Sequence, residues 1–159
     1  MSRINFVDTV IGEMCEAMGL GDRTLDNEGQ LTLRFDDTQV TFTYGAKPIE
    51  LLWLQVDLGA VPGDPDALRF LLLLGYDSWS LNRMTIGLDS AGRNAWGYSC
   101  IPVSELNRDQ LEAVLKAMLE VAMPIRQRLE AGRFELNIQQ GKADEPKAHL
   151  GRPPGMLRV

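Results

Sequence analysis

Asp64–Leu88, DPDALRFLLLLGYDSWSLNRMTIGL, decides how the rest of the chain is arranged. Asp64 offers an oxygen to the first free helical amides, and Pro65 suits the first helical position, where its missing N–H costs nothing. Gly75 is placed to end the helix in the left-handed conformation. Between them the apolar residues do not keep to one stripe. Leu68, Leu71 and Leu72 face one way, and Phe70, Leu73 and Leu74 another. A short helix apolar on most sides must be covered on more than one of them. Two arrangements satisfy that condition: a central helix enclosed in one domain, or a helix with one face on its own sheet and the other on a second copy of the chain.

Upstream, Ser2 is a candidate cap for a helix running to about Met18, with Gly19 as its stop. Ile4, Val7, Ile11, Met14 and Met18 keep helical spacing, flanked by Phe6 and Val10 on one side and Cys15 on the other. That arc is wider than the ~100° stripe one packing surface needs. Either the helix is wedged deep in its own core, or the Phe6/Val10 flank waits for something else. After a turn-rich link, Leu31, Leu33 and Phe35 alternate with polar residues, as do Val40, Phe42 and Tyr44, with turn residues at 36–39 between them. This is the pattern of a hairpin with one buried face. A third strand over 49–58 is apolar on one face through Leu52, Leu54, Val56 and Leu58. Ile49, Leu51 and Trp53 start the other face, as in a strand covered on both sides in mid-sheet.

Downstream, Met84, Ile86 and Leu88 alternate and are expected to point inward, 90–94 turns the chain, and Trp96, Tyr98 and Cys100 return it, with Pro102 fitting the end of an edge strand. Asn107 with Gln110 opens a last helix resembling a capping box. Leu111, Val114, Leu115, Met118, Ala122, Ile125 and Leu129 give it one stripe, Pro124 predicts a kink, and Gly132 stops it. Residues 1–134 thus form one α+β domain of order α-β-β-β-α-β-β-α, with an antiparallel sheet packed against helices. Residues 135–159, rich in Gly, Pro and charge, are expected to form a flexible C-terminal tail.

At 159 residues and 45% hydrophobic, the chain can bury a real core. Its net charge of −6 argues against a nucleic-acid surface. No apolar run approaches the roughly 20 residues of a membrane span. Asp8 and Glu13 interrupt the apolar start, so no signal peptide is expected. Cys15 and Cys100 lack metal-type spacing, which suits reduced thiols in a cytoplasmic protein.

Candidate chemistry is sparse. The single histidine, His149, falls in the expected tail, leaving no positioned base for a nucleophile. Asp36 and Asp37 are turn formers far more often than a metal site. Asp22, Asp26 and Glu28 lack the spacing and closing bidentate acid of a cation loop. Trp79 and Trp96 could form a ligand platform, though strand aromatics are more often core or interface. The profile favours binding over catalysis.

The amphipathic start INFVDTVIGEM, the segment LDNEGQLTLRFDDTQVTFTY, the helix ALRFLLLLGY, the strand pair MTIGLDSAGRNAWGYSCIPVSEL and the long closing helix together resemble the class I type III secretion chaperones, the CesT-like (Tir chaperone) family. The resemblance covers about Ile4–Gly132. Two departures are the LLLLGY end of the central helix, where the family often has a small residue and Asn, and the longer tail. The resemblance implies a cytoplasmic homodimer from a Gram-negative bacterium, tied to virulence and without enzymatic activity or cofactor. Such a dimer holds the extended N-terminal chaperone-binding region of a secreted effector and presents it to the secretion apparatus, whose ATPase is a further partner. A dimeric adaptor of similar fold without a secretion role is the alternative. Extended segments gain affinity by adding a strand to a sheet edge and filling apolar patches. On that logic Phe6, Val7, Val10, Leu31, Leu33, Val40 and Phe42 are the expected effector-binding residues. Leu68, Phe70, Leu71, Leu73, Leu74, Tyr76 and Trp79 are the expected dimer interface.

Overall fold

Eight elements follow in the expected order: α1 (Arg3–Ala17), β1 (Gln30–Phe35), β2 (Thr38–Gly45), β3 (Leu51–Ala60), α2 (Pro65–Asp77), β4 (Thr85–Leu88), β5 (Asn94–Pro102) and α3 (Arg108–Glu130). The structure is a computed structural model that describes residues 3–77 and 84–134. Trp79, His149 and the expected tail beyond Phe134 lie outside the described residues.

Two of the three helix stops act as the sequence predicts. Gly19 (φ +73°) and Gly132 (φ +62°) are left-handed. In each case the next residue's amide closes back on the helix: Leu20 to the Cys15 carbonyl at 2.8 Å, and Arg133 to Arg128 at 2.9 Å. These are Schellman ends, in which glycine is favoured because it has no Cβ to clash. Gly75 does not stop α2, which runs through it to Asp77. At the other end of α3, Asn107 accepts from the Gln110 amide at 2.9 Å, and the helix continues through Pro124.

The strands form one antiparallel sheet in the order β1-β2-β3-β5-β4, with β3 in the middle. Leu52, Leu54, Val56 and Leu58 of β3 are fully buried, in one cluster with Leu111, Leu115, Met118, Ala122 and Ile125 of α3. Near its end β3 bulges between Asp57 and Gly59. Gly59 takes φ +99° and donates its amide to Asp57 Oδ1 at 2.8 Å. Arg126 of α3 reaches Asp57 Oδ2 at 3.3 Å, tying the bulge to the helix above it. The opposite face of β3 is not covered. Trp53 is 42% exposed and Ile49, just before the strand, 66%. Pro102 closes an interior strand, at a position that β4, paired only with Ala95–Tyr98, does not reach.

Several residues expected at the surface are core. Val7, Val10, Val40 and Phe42 are buried to 5% exposure or less, and Leu33 is nearly so. The wide arc of α1 is consumed within the chain, because α1 packs on α3 and shares one core with the strands. Phe70 and Leu71 of α2 are core as well. The Phe70 ring stands 6.1 Å from that of Phe134, under the Arg128 guanidinium. The uncovered side of α2 is therefore Leu68, Leu72, Tyr76 and Leu73 rather than the Phe70/Leu73/Leu74 side.

Two substitution sets check this core. Val10→Asp should abolish the cooperative thermal transition, since it buries an unpaired charge, whereas Phe6→Asp should keep the midpoint within about 3 °C. At Gly97 a Cβ would lie 2.8 Å from Val56 Cγ1 and 2.5 Å from Met84 Sδ. Gly97→Ala should accordingly lower stability in urea by about 1–3 kcal/mol, the usual range for overpacking.

Candidate functional site

The described residues offer little to a catalyst. None of their His, Cys, Asp and Glu side chains gather in threes to hold a metal. The Asp36–Asp37 pair turns β1 into β2, with Asp36 at φ +51°. Arg34 folds over that turn, its Nε donating to the Asp36 carbonyl at 2.9 Å and its Nη2 to Asp37 Oδ1 at 3.2 Å. Asp26 is likewise spent on a turn, its Oδ1 accepting from the amides of Glu28 and Gln30. Burial pushes the Cys15 thiol up from its ordinary value, so it stays protonated and unreactive. Cys100 is exposed. Asp8, Glu13, Glu16 and Asp22 line a shallow groove between α1 and the α1–β1 link. Asp8 there accepts the Leu25 amide at 2.7 Å.

What the fold does offer is uncovered apolar surface and uncovered strand edge. Of the residues expected to bind an extended segment, Phe6 is 38% exposed and Leu31 is half-buried; the other five are in the core. Two residues outside the expected binding set also offer apolar surface: Phe35 is half-buried on β1 and Met123 is exposed on α3. β1 itself has a strand on one side only. The signal for Phe35 was its place in the same alternation as Leu31 and Leu33. Met123 carried no signal, because it lies off the apolar stripe of α3.

A second uncovered surface runs along α2. Leu68, Leu72 and Tyr76 repeat every fourth residue and so stack on one side of the helix. Leu72 is 74% and Tyr76 91% exposed, with Leu73 beside them. Leu74 is half-buried. Leu72, absent from the expected interface, is thus the centre of the exposed row. A third surface, the outer sheet face, carries Trp53, Tyr98 and Cys100 on adjoining strands, with Trp53 opposite Cys100. Trp96 also lies on this face, half-buried and opposite Asp57. Among the described residues no helix is long and apolar enough to cross a membrane.

Solved structures of known proteins share this arrangement. The solved structure of the ExsC–ExsE complex contains a chain that superposes with a TM-score of 0.72 at 25% identity, covering 81% of this chain and 97% of that one. The HopA1–SchA chaperone–effector complex gives 0.67 at 20% identity, with 80% and 97% covered. The heterodimeric ExoU–SpcU complex of the type III secretion system of Pseudomonas aeruginosa gives 0.59 at 20%, with 76% and 98% covered. The latter two, at that identity, speak for the fold alone. Among curated protein sequences the chain has no match. The model of one family does match, over residues 9–126, from the middle of α1 almost to the end of α3. The chain belongs to the Tir chaperone protein (CesT) family.

Proposed function

We propose that this protein is a cytoplasmic type III secretion chaperone that works as a homodimer. It holds the N-terminal chaperone-binding region of a secreted effector extended, keeping that region from collapsing or aggregating before export. The observation that carries the reading is the uncovered β1 edge with half-buried Leu31 and Phe35 beside it, in a chain of the CesT family. An open strand edge supplies main-chain hydrogen bonds to any sequence, and apolar patches beside it select for apolar side chains. Holding a segment in this way needs no bond-making chemistry and no cofactor. Presentation of the loaded complex to the ATPase of the secretion apparatus follows as the next step.

The dimer rests on the row Leu68, Leu72, Leu73 and Tyr76. Contiguous leucine and tyrosine surface of this kind on a helix marks an interface, and a two-fold axis would let the row cover its own copy. Light scattering at micromolar concentration should give twice 17.7 kDa. Leu72→Glu, at an exposed position, should halve that mass without lowering the helical content; a wild-type monomer would contradict the dimer. Co-expression with the products of adjacent open reading frames, followed by pull-down, tests the function. A secreted protein that stays soluble only with this chain, and loses binding by about 2 kcal/mol when Phe6 is changed to Asp, is the expected result. No co-purifying neighbour would count against the reading.

A further inference from the structure

The pairing of β1 decides which of its main-chain groups are free. The Gly29 carbonyl accepts from the Tyr44 amide at 2.9 Å. Leu31, Leu33 and Phe35 stand opposite Phe42, Val40 and Thr38. Bonded and non-bonded positions alternate along an antiparallel pair. The odd-numbered residues therefore bond to β2, and the amides and carbonyls of Gln30, Thr32 and Arg34 point away from the sheet.

Gln30 is already satisfied. Its amide donates to Asp26 Oδ1 at 2.9 Å, and its carbonyl accepts from the Asp26 amide at 2.7 Å. Asp26 thus does for Gln30 what a further strand would do. Among the described residues no main-chain group does the same for Thr32 or Arg34. Their side chains are turned elsewhere: Thr32 Oγ1 meets Thr41 Oγ1 at 3.0 Å, and Arg34 lies over the Asp36–Asp37 turn. The open edge is short, closed at one end by Asp26 and at the other by a turn.

We infer that Asp26 fixes the length and register of the strand that β1 accepts. The added segment lies opposite Leu31–Phe35, bonds to the main chain of Thr32 and Arg34 only, and stops at Gln30. Cross-strand neighbours share a face, so its residues opposite Leu31, Leu33 and Phe35 are apolar and the two between them are unrestricted. Carboxylates flank both ends. At the turn Asp37 is paired with Arg34, which leaves the Asp36 carboxylate, and the groove of Asp8, Glu13, Glu16 and Asp22 includes Thr24, two residues before Asp26. With the chain at −6 overall, the segment that fits is short, alternately apolar and flanked by lysine or arginine. This inference rests on the effector-binding reading above and adds to it the sequence class of the bound segment.

Amide hydrogen exchange followed by NMR on the full chain tests it, using a synthetic peptide Lys-Lys-Val-Thr-Val-Thr-Val-Lys-Lys as probe. In the free protein the Gln30 amide should exchange at least about tenfold more slowly than those of Thr32 and Arg34. The peptide should slow Thr32 and Arg34 by about tenfold or more. Asp26→Ala should release Gln30 in the free protein and let the peptide protect it as a third position. Asp26→Asn, which keeps an accepting oxygen, should behave as wild type and serves if the alanine variant folds poorly. Unchanged exchange at Thr32 and Arg34 with peptide overturns the inference, as does a Gln30 amide indifferent to Asp26→Ala. Protection of Thr32 and Arg34 in the free protein that fades on dilution also overturns it, since a second copy would then be the occupant. A co-purified effector that leaves Thr32 and Arg34 unprotected overturns the register while the chaperone function stands. Failure of any neighbour to co-purify sinks the function, and the peptide result is read independently of it.

Discussion

The packing of α3 along β3 is the contact on which the other elements depend. Four consecutive inward side chains of β3 are fully buried with the stripe of α3. Each fully buried leucine or valine of this kind stabilises the fold by about 1.5–3 kcal/mol. The Arg126–Asp57 pair and the Asp57–Gly59 bulge fix the far end of that contact. β2 and β5 then pair to either side of β3, and β1 and β4 complete the sheet outside them. α1 closes over the same layer by packing on α3. All of this covers one face of the sheet. The outer face, the β1 edge and one side of α2 are left to whatever else the protein meets.

That division explains which expectations held. Helix and strand order, and the hairpin 31–44, were legible because alternation and three-four spacing report which residues face a core. Gly19 and Gly132 were legible as stops because each follows the last apolar position of its stripe. Gly75 looked equivalent, yet α2 carries on past it. The position of a glycine does not compel a left-handed turn when the next residues continue the helix.

Width of an apolar arc was the less reliable signal. On α1 it suggested surplus surface at Val10, but packing on α3 within the core shared with the strands uses it up, leaving Phe6 alone. On α2 the arc did predict surplus surface but not its direction. Which side of a helix faces home depends on where the sheet lies, and a run of leucines says nothing of that. On β3 the apolar start of the second face pointed to cover on both sides, whereas Trp53 stands exposed. The capping of Gln30 by Asp26 was invisible for another reason. It is a local turn closed over four residues by Asp26 and left-handed Gly29, and the turn-rich composition of the link does not say which of its carboxylates caps the strand.

A protein with a complete core and unsatisfied surfaces is built to be completed by others, and the described residues gather no catalytic groups that would give those surfaces another use. The direct test of that account is calorimetric titration of the protein with the isolated N-terminal region of a secreted protein that co-purifies with it, repeated over a range of temperatures. An extended segment that covers apolar surface and orders as it binds predicts a large negative heat-capacity change with favourable enthalpy and opposing entropy. Binding with a heat-capacity change near zero, or no binding at all, would contradict it.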